Sequence, residues 1–133
     1  MLKEIATQGI IVEIIPINPV DDTTGIIVLI GTPQDKEKAE GNGIYIEGLQ
    51  VSISSISVPA VGASIPDVGL YTEEFVATAK KVKVEGSVVL RVDDETAIIT
   101  AYPEIPATPD AIPYPTSFTI RITDANQTKV KAL

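Results

Sequence analysis

Aliphatic residues, mostly isoleucine and valine, recur along this chain in short runs divided by proline, glycine and acidic turns. β-Branched side chains are stiff at χ1 and favour strands. Gly9 to Ile15 and Gly25 to Ile30 are predicted strands, separated by Pro16, Pro19 and the turn residues Asp21-Asp22-Thr23-Thr24. Gly31 to Gly43, with Pro33, five charged residues and Gly41-Asn42-Gly43, reads as a polar loop. Ile44 to Val58 alternates, Val51, Ile53 and Ser55 against Ser52, Ser54 and Ile56, so one face is apolar and the other carries small hydroxyls. Pro59 to Gly69 reads as a loop.

Further strands are predicted at Lys81 to Glu85, Ser87 to Val92 and Thr96 to Tyr102, with turns at Glu85-Gly86 and Asp93-Asp94-Glu95. Five of the ten prolines lie between Pro103 and Pro115, which predicts an extended surface loop or arm, because proline cannot sit inside a central ladder. Ser117 to Thr123 and Thr128 to Ala132 follow as strands, joined by Asp124-Ala125-Asn126-Gln127. The best helical candidate is Thr72 to Lys81, capped by Thr72 with Glu73 and Glu74 in its first turn, although Val76, Val82 and Val84 favour strand. The fold expectation is all-β: one small domain over residues 1–133, made of short antiparallel strands and hairpins with a proline-rich arm at 103–115. Ile44 to Val51 also echoes Val82 to Val89, each with a β-branched, polar, β-branched triplet before Glu-Gly. The echo fits either a duplicated unit or the turn chemistry common to β proteins.

A chain of 133 residues fits one domain and can hold a core without staples. It has no cysteine, histidine or tryptophan. Without histidine it lacks the usual general base, the usual activator of a serine nucleophile and the commonest zinc ligand. The net charge of −8 opposes binding to phosphate backbones and anionic membranes. The longest apolar runs, Ile26 to Ile30 and Ile10 to Ile17, are too short for a spanning helix. Met1-Leu2-Lys3-Glu4 does not resemble a signal peptide, so synthesis in the cytoplasm is expected.

Asp93-Asp94-Glu95 and Asp21-Asp22 are candidate ligands for a hard cation, but they lack the spacing of a calcium loop and read as solvated turns. Ser52, Ser54, Ser55 and Ser57 would need Lys80, Lys81 or Lys83 as a base, and their simpler reading is the outer face of a strand. Tyr102 and Tyr114 flank the proline-rich segment and offer a stacking surface for a sugar or a partner. No residue is assigned a catalytic, cofactor-binding or metal-binding role, and no partner-binding residue is designated.

The segment Val82-Lys83-Val84-Glu85-Gly86-Ser87-Val88-Val89-Leu90-Arg91-Val92-Asp93-Asp94 resembles the hairpin of PAAR and PAAR-like proteins. The tail, Thr119-Ile120-Arg121-Ile122 with Ala125 to Ala132, is similar to the ending of PAAR-like proteins of contractile phage systems. The resemblance implies a small β-rich cone that caps the trimeric spike of a phage tail or injection machine, assembled into a virion or tail-like particle with spike or baseplate proteins as partners. Proteins of that family hold a metal with histidines and a cysteine, and neither residue type is present here. A capsid decoration protein and a small carbohydrate-binding adhesin module are the alternative readings.

Overall fold

The computed structural model describes residues 2–18, 23–64, 70–105 and 112–133. Fifteen short strands follow one another: β1 (Lys3–Glu4), β2 (Ile11–Asn18), β3 (Thr24–Ile30), β4 (Gln34–Ala39), β5 (Asn42–Ile44), β6 (Gln50–Val58), β7 (Ala63–Ser64) and β8 (Tyr71–Glu74). The second half adds β9 (Lys83–Val84), β10 (Ser87–Val88), β11 (Ile99–Ala101), β12 (Glu104–Ile105), β13 (Ile112–Pro113), β14 (Thr116–Asp124) and β15 (Lys131–Ala132). Among the described residues the one helical element is a 3-10 turn, Pro59–Val61. The chain is all-β, as its residue pattern predicts.

Three segments distant in sequence organise these strands. The Ala6 N–H donates to the Leu90 carbonyl, Leu90 to Tyr45, and Tyr45 to Ala6, at 2.8, 3.0 and 2.9 Å. A second cycle runs outside the first, from Gln8 to the Gly43 carbonyl, Glu47 to Val88 and Val92 to Glu4, at 2.9, 2.8 and 2.9 Å. Ile5 bridges Arg91, Thr7 bridges Ile44 and Ile46 bridges Val89. Each segment therefore pairs with both others in the same way, and the single chain has an internal pseudo-threefold axis. The turn that ends each segment carries one residue at positive φ: Gly9 at 95°, Gly48 at 100° and Asp93 at 73°.

The elements attached to this ring repeat as well. An outgoing strand leaves each turn: β2, β6, and the stretch 95–101 that contains β11. A returning strand follows each: β3, β8 and β14. Each outgoing strand pairs antiparallel with the strand returning from the preceding repeat, β2 with β14 and β6 with β3. The third such pair is the Phe75–Thr96 bridge, with Val76 N–H donating to the Glu95 carbonyl at 3.0 Å. Two repeats also zip up internally, β6 with β8 and β11 with β14. No ladder joins β2 to β3 among the described residues. The result is a six-stranded barrel paired at five seams and, among the described residues, unpaired at the sixth.

Beyond the returning strands lie the hairpins β4–β5 and β9–β10 and, in the third position, a hairpin-like pair of β15 with β1 from opposite ends of the chain. The β4–β5 and β9–β10 turns are both Glu-Gly, with φ of 51° and 84° at Glu40-Gly41 and 52° and 83° at Glu85-Gly86. Two successive positive φ values are what a type I′ hairpin turn needs, and glycine supplies the second without strain.

Strand alternation splits the apolar residues into two cores. Ala6, Tyr45 and Leu90 point from the ring into the barrel, joining Val51, Ile53, Ile56, Phe75, Phe118, Ile120 and Ile122. Ile5, Ile44 and Val89 point the other way, onto Ala39, Val84 and Ala132, one residue from each hairpin. Burying each large side chain of this kind stabilises the fold by about 1.5–3 kcal/mol.

Several expected elements come out differently. Thr72 to Lys81 is not a helix: β8 ends at Glu74, Phe75 enters the core, and the ladder offered by β6 outweighs the helical capping signals. Gly31 to Gly43 is a hairpin rather than a loop. Its strands read as polar because β4 is solvent-facing almost throughout and buries Ala39 alone at its end. Ile44 to Val58 is two elements divided by the Glu47-Gly48 turn. Within β6, Ser55 adopts φ 51° and the register with β3 slips between Thr24 and Ile26. This bulge reverses the alternation, so Ser55 is exposed while Ile56 and Val58 are buried.

The strands expected at Lys81–Glu85, Ser87–Val92, Thr96–Tyr102 and Thr128–Ala132 are real but shorter. The last is held short by the Gln127 side chain, which accepts from the Lys129 and Val130 N–H groups at 3.0 and 2.8 Å. The ends of the proline-rich arm form a small hairpin, β12 with β13, added to β7; residues 106–111 of that arm lie outside the described residues. Pro113 is on the outermost strand of its sheet and Pro16 on the edge strand β2, where the missing N–H breaks no central ladder.

Candidate functional site

The acidic cluster is dismantled by the fold. Asp93 sits in its turn and pairs with Lys3 at 3.4 Å. Glu95 accepts from Arg121 Nε at 3.1 Å and from the Thr119 hydroxyl at 2.9 Å. Asp94, read from sequence as part of a solvated turn, is 1% exposed. One of its oxygens accepts from the Arg91 N–H at 2.9 Å and the other from the Thr78 hydroxyl. Arg91 is buried too, donating from Nη2 to the Thr78 oxygen at 2.8 Å and from Nη1 to the Ala132 carbonyl at 3.0 Å. Each carboxylate is thus committed to a different internal partner, and among the described residues no group of acidic side chains is placed to hold a metal ion. Asp21 and Asp22 lie outside the described residues.

The serines and lysines are not brought together. Ser52 and Ser54 stand on the outer wall of β6, cross-strand from Val28 and Ile26. Lys80 and Lys81 line a cleft with Lys3, Thr78 and Arg91 at the hairpin side of the ring. No serine–lysine pair capable of nucleophilic chemistry exists among the described residues. The tyrosines do not form one platform either. Tyr45 is buried in the barrel core, where desolvation pushes its phenol above the ordinary tyrosine value. Tyr102 is exposed and Tyr114 half-buried at the two ends of the β12–β13 hairpin, the Tyr114 N–H donating to the Pro103 carbonyl at 2.8 Å.

What the fold does build is a surface repeated three times by one chain. The three hairpins stand around the pseudo-threefold axis and brace one another. Lys36 of β4 meets Glu85 of the β9–β10 turn at 2.8 Å, and the Thr128 N–H reaches Glu40 of the β4–β5 turn at 3.4 Å. The inner strands are bonded to the ring through the Gly43, Val88 and Glu4 carbonyls, and beside β15 the Ala132 and Leu133 carbonyls accept from Arg91 and Lys80. The outer strands β4 and β9 pair with no further strand among the described residues, which is the usual template for adding a partner strand. At the opposite end of the barrel the repeats diverge. One connection between outgoing and returning strands is residues 19–23, the next carries the 3-10 turn and β7, and the third carries β12 and β13. Symmetry is kept at the hairpin end and lost at the other.

Sequence reasoning missed this site because its equivalences lie elsewhere than in the visible echo. Glu47-Gly48 is not the counterpart of Glu85-Gly86: Gly48 matches Gly9 and Asp93, and Glu85-Gly86 matches Glu40-Gly41. No protein-family model, curated protein or solved structure matches the chain.

Proposed function

We propose that this protein is a non-enzymatic structural component of a phage tail or related contractile injection system, seated as a PAAR-like tip on a trimeric central spike. The pseudo-threefold hairpin end carries this reading. A monomer whose backbone repeats about a pseudo-threefold axis can align that axis with the threefold axis of a trimer, so that each repeat meets a different chain. The partner's strands continue the hairpin edges by β-augmentation. The unequal connections at the far end fit a tip that meets no symmetric partner. Stabilisation comes from apolar packing and the Arg91–Thr78–Asp94 network, in place of the histidine and cysteine metal site of the family it resembles.

Mixing the protein with the trimeric spike protein of its own system and measuring native mass tests the reading. One copy bound per trimer is expected. Free protein that ignores every tail protein of that system contradicts it, and hundreds of copies per particle would favour a decoration role.

A further inference from the structure

The open seam of the barrel coincides with one apolar stretch of its wall; Val76 and Ile98 are exposed elsewhere. On β6, β8 and β14 the positions facing away from the core are hydroxyls and charges, with Thr72 and Glu74 exposed and Ser52 and Thr119 buried. On β2 and β3 they are aliphatic: Ile11 and Ile17 on one, Ile26, Val28 and Ile30 on the other, between 42% and 59% exposed. The inward positions Val12, Ile14, Ile27 and Leu29 pack on the core. A strand apolar on both faces is the pattern of one covered on both sides. Here that pattern falls on the two barrel strands whose facing edges form no ladder with each other. Between them runs an open groove of about 470 Å³, lined by Glu13, Ile14, Thr23, Thr24, Gly25 and Ile27. Glu13 is the single charge there. It makes no ion pair among the described residues, because Arg121, its cross-strand neighbour, is held by Glu95.

We infer that the β2–β3 seam receives an extended strand from a partner protein, aliphatic at alternate positions and carrying a lysine or arginine opposite Glu13. The incoming strand pairs with free backbone groups of the seam, and the partner's body covers Ile26, Val28 and Ile30. The charge assigns the occupant: a second copy docking by the same seam would set Glu13 against Glu13 and join two chains of net charge −8, whereas a basic residue neutralises Glu13. This surface is the barrel wall, distinct from the hairpin end, so its occupant is independent of what sits on the axis.

Decapeptides selected from a random display library on the full chain test this. Selected peptides should alternate aliphatic residues around a central lysine or arginine, and should slow amide exchange in β2 and β3 while leaving β8 and β11 unchanged. Glu13→Lys, an exposed position, should weaken the basic peptide about tenfold and favour a version with glutamate at its centre. Val28→Asp should abolish binding with the fold intact. Failure to select any peptide, protection elsewhere, or indifference to Glu13→Lys overturns the proposal. So does concentration-dependent dimerisation of the free chain that protects the same amides, which would make a second copy the occupant.

Discussion

Replacing Asp94 by alanine removes the one carboxylate buried among the described residues. The change strips the acceptor from the Arg91 N–H and from the Thr78 hydroxyl, whose oxygen in turn receives Nη2 of the buried Arg91. Arg91 Nε has no hydrogen-bond partner among the described residues even before the change, so the site has no spare acceptor to offer. An unsatisfied buried donor costs about 1–3 kcal/mol. We expect Asp94→Ala, which deprives two donors of their acceptor, to cost about 3 kcal/mol, a large part of the roughly 5–15 kcal/mol that holds a domain together. For a chain of this size that is a fall in Tm of about 10–15 °C.

Urea unfolding of the single variants and of Arg91→Met with Asp94→Ala closes a double-mutant cycle. The double variant should be more stable than the sum of the single losses predicts, because the Thr78 hydroxyl joins the two side chains and the single losses overlap there. Asp93→Asn, which removes a half-exposed ion pair with Lys3 and keeps a side chain suited to the positive φ, should cost no more than about 0.5–1 kcal/mol. An Asp94→Ala variant within 1 kcal/mol of the parent, or strictly additive losses, would refute the buried network.

Hydrogen exchange should give the amides of Ala6, Tyr45 and Leu90 a common protection close to that of global unfolding, since opening one bond of a closed cycle disturbs all three; one of them exchanging like a surface turn would break the ring. Phe118→Ala, at a side chain 0% exposed, should cost about 3–5 kcal/mol in chemical denaturation, and a smaller loss would mean the barrel core is not packed as described. Burial raises the folded-state value of Tyr45, so its contribution is complete below about pH 10 and is lost as pH rises through the folded value. Tyr45→Phe should flatten the alkaline limb of the stability–pH curve.

Local chemistry in the sequence reached the strands better than their assembly. The isoleucine- and valine-rich runs mark β2, β3 and β14 because these are long strands with an alternating or doubly apolar pattern. The charged β4 escaped, since a strand with one buried residue carries no period to detect. The flip at Ser55 was invisible because a bulge leaves composition unchanged while exchanging the faces. The ring segments are three residues long, and their equivalence rests on backbone pairing. Ala6, Tyr45 and Leu90 share a position but no side-chain chemistry, and Gly9 and Gly48 are matched by an aspartate at 93. The acidic triplet misled for a related reason: it looks like one turn, yet the strand that begins there sends Asp94 inward and Glu95 across to Arg121.

A reconstruction of the protein bound to the trimeric spike proposed as its partner, computed without imposed symmetry, tests the central claim most directly. One copy should sit with its pseudo-threefold axis on the threefold axis of the trimer, and the hairpins β4–β5, β9–β10 and β15–β1 should each abut a different spike chain. A copy bound off the axis, or three copies bound side by side, would contradict it.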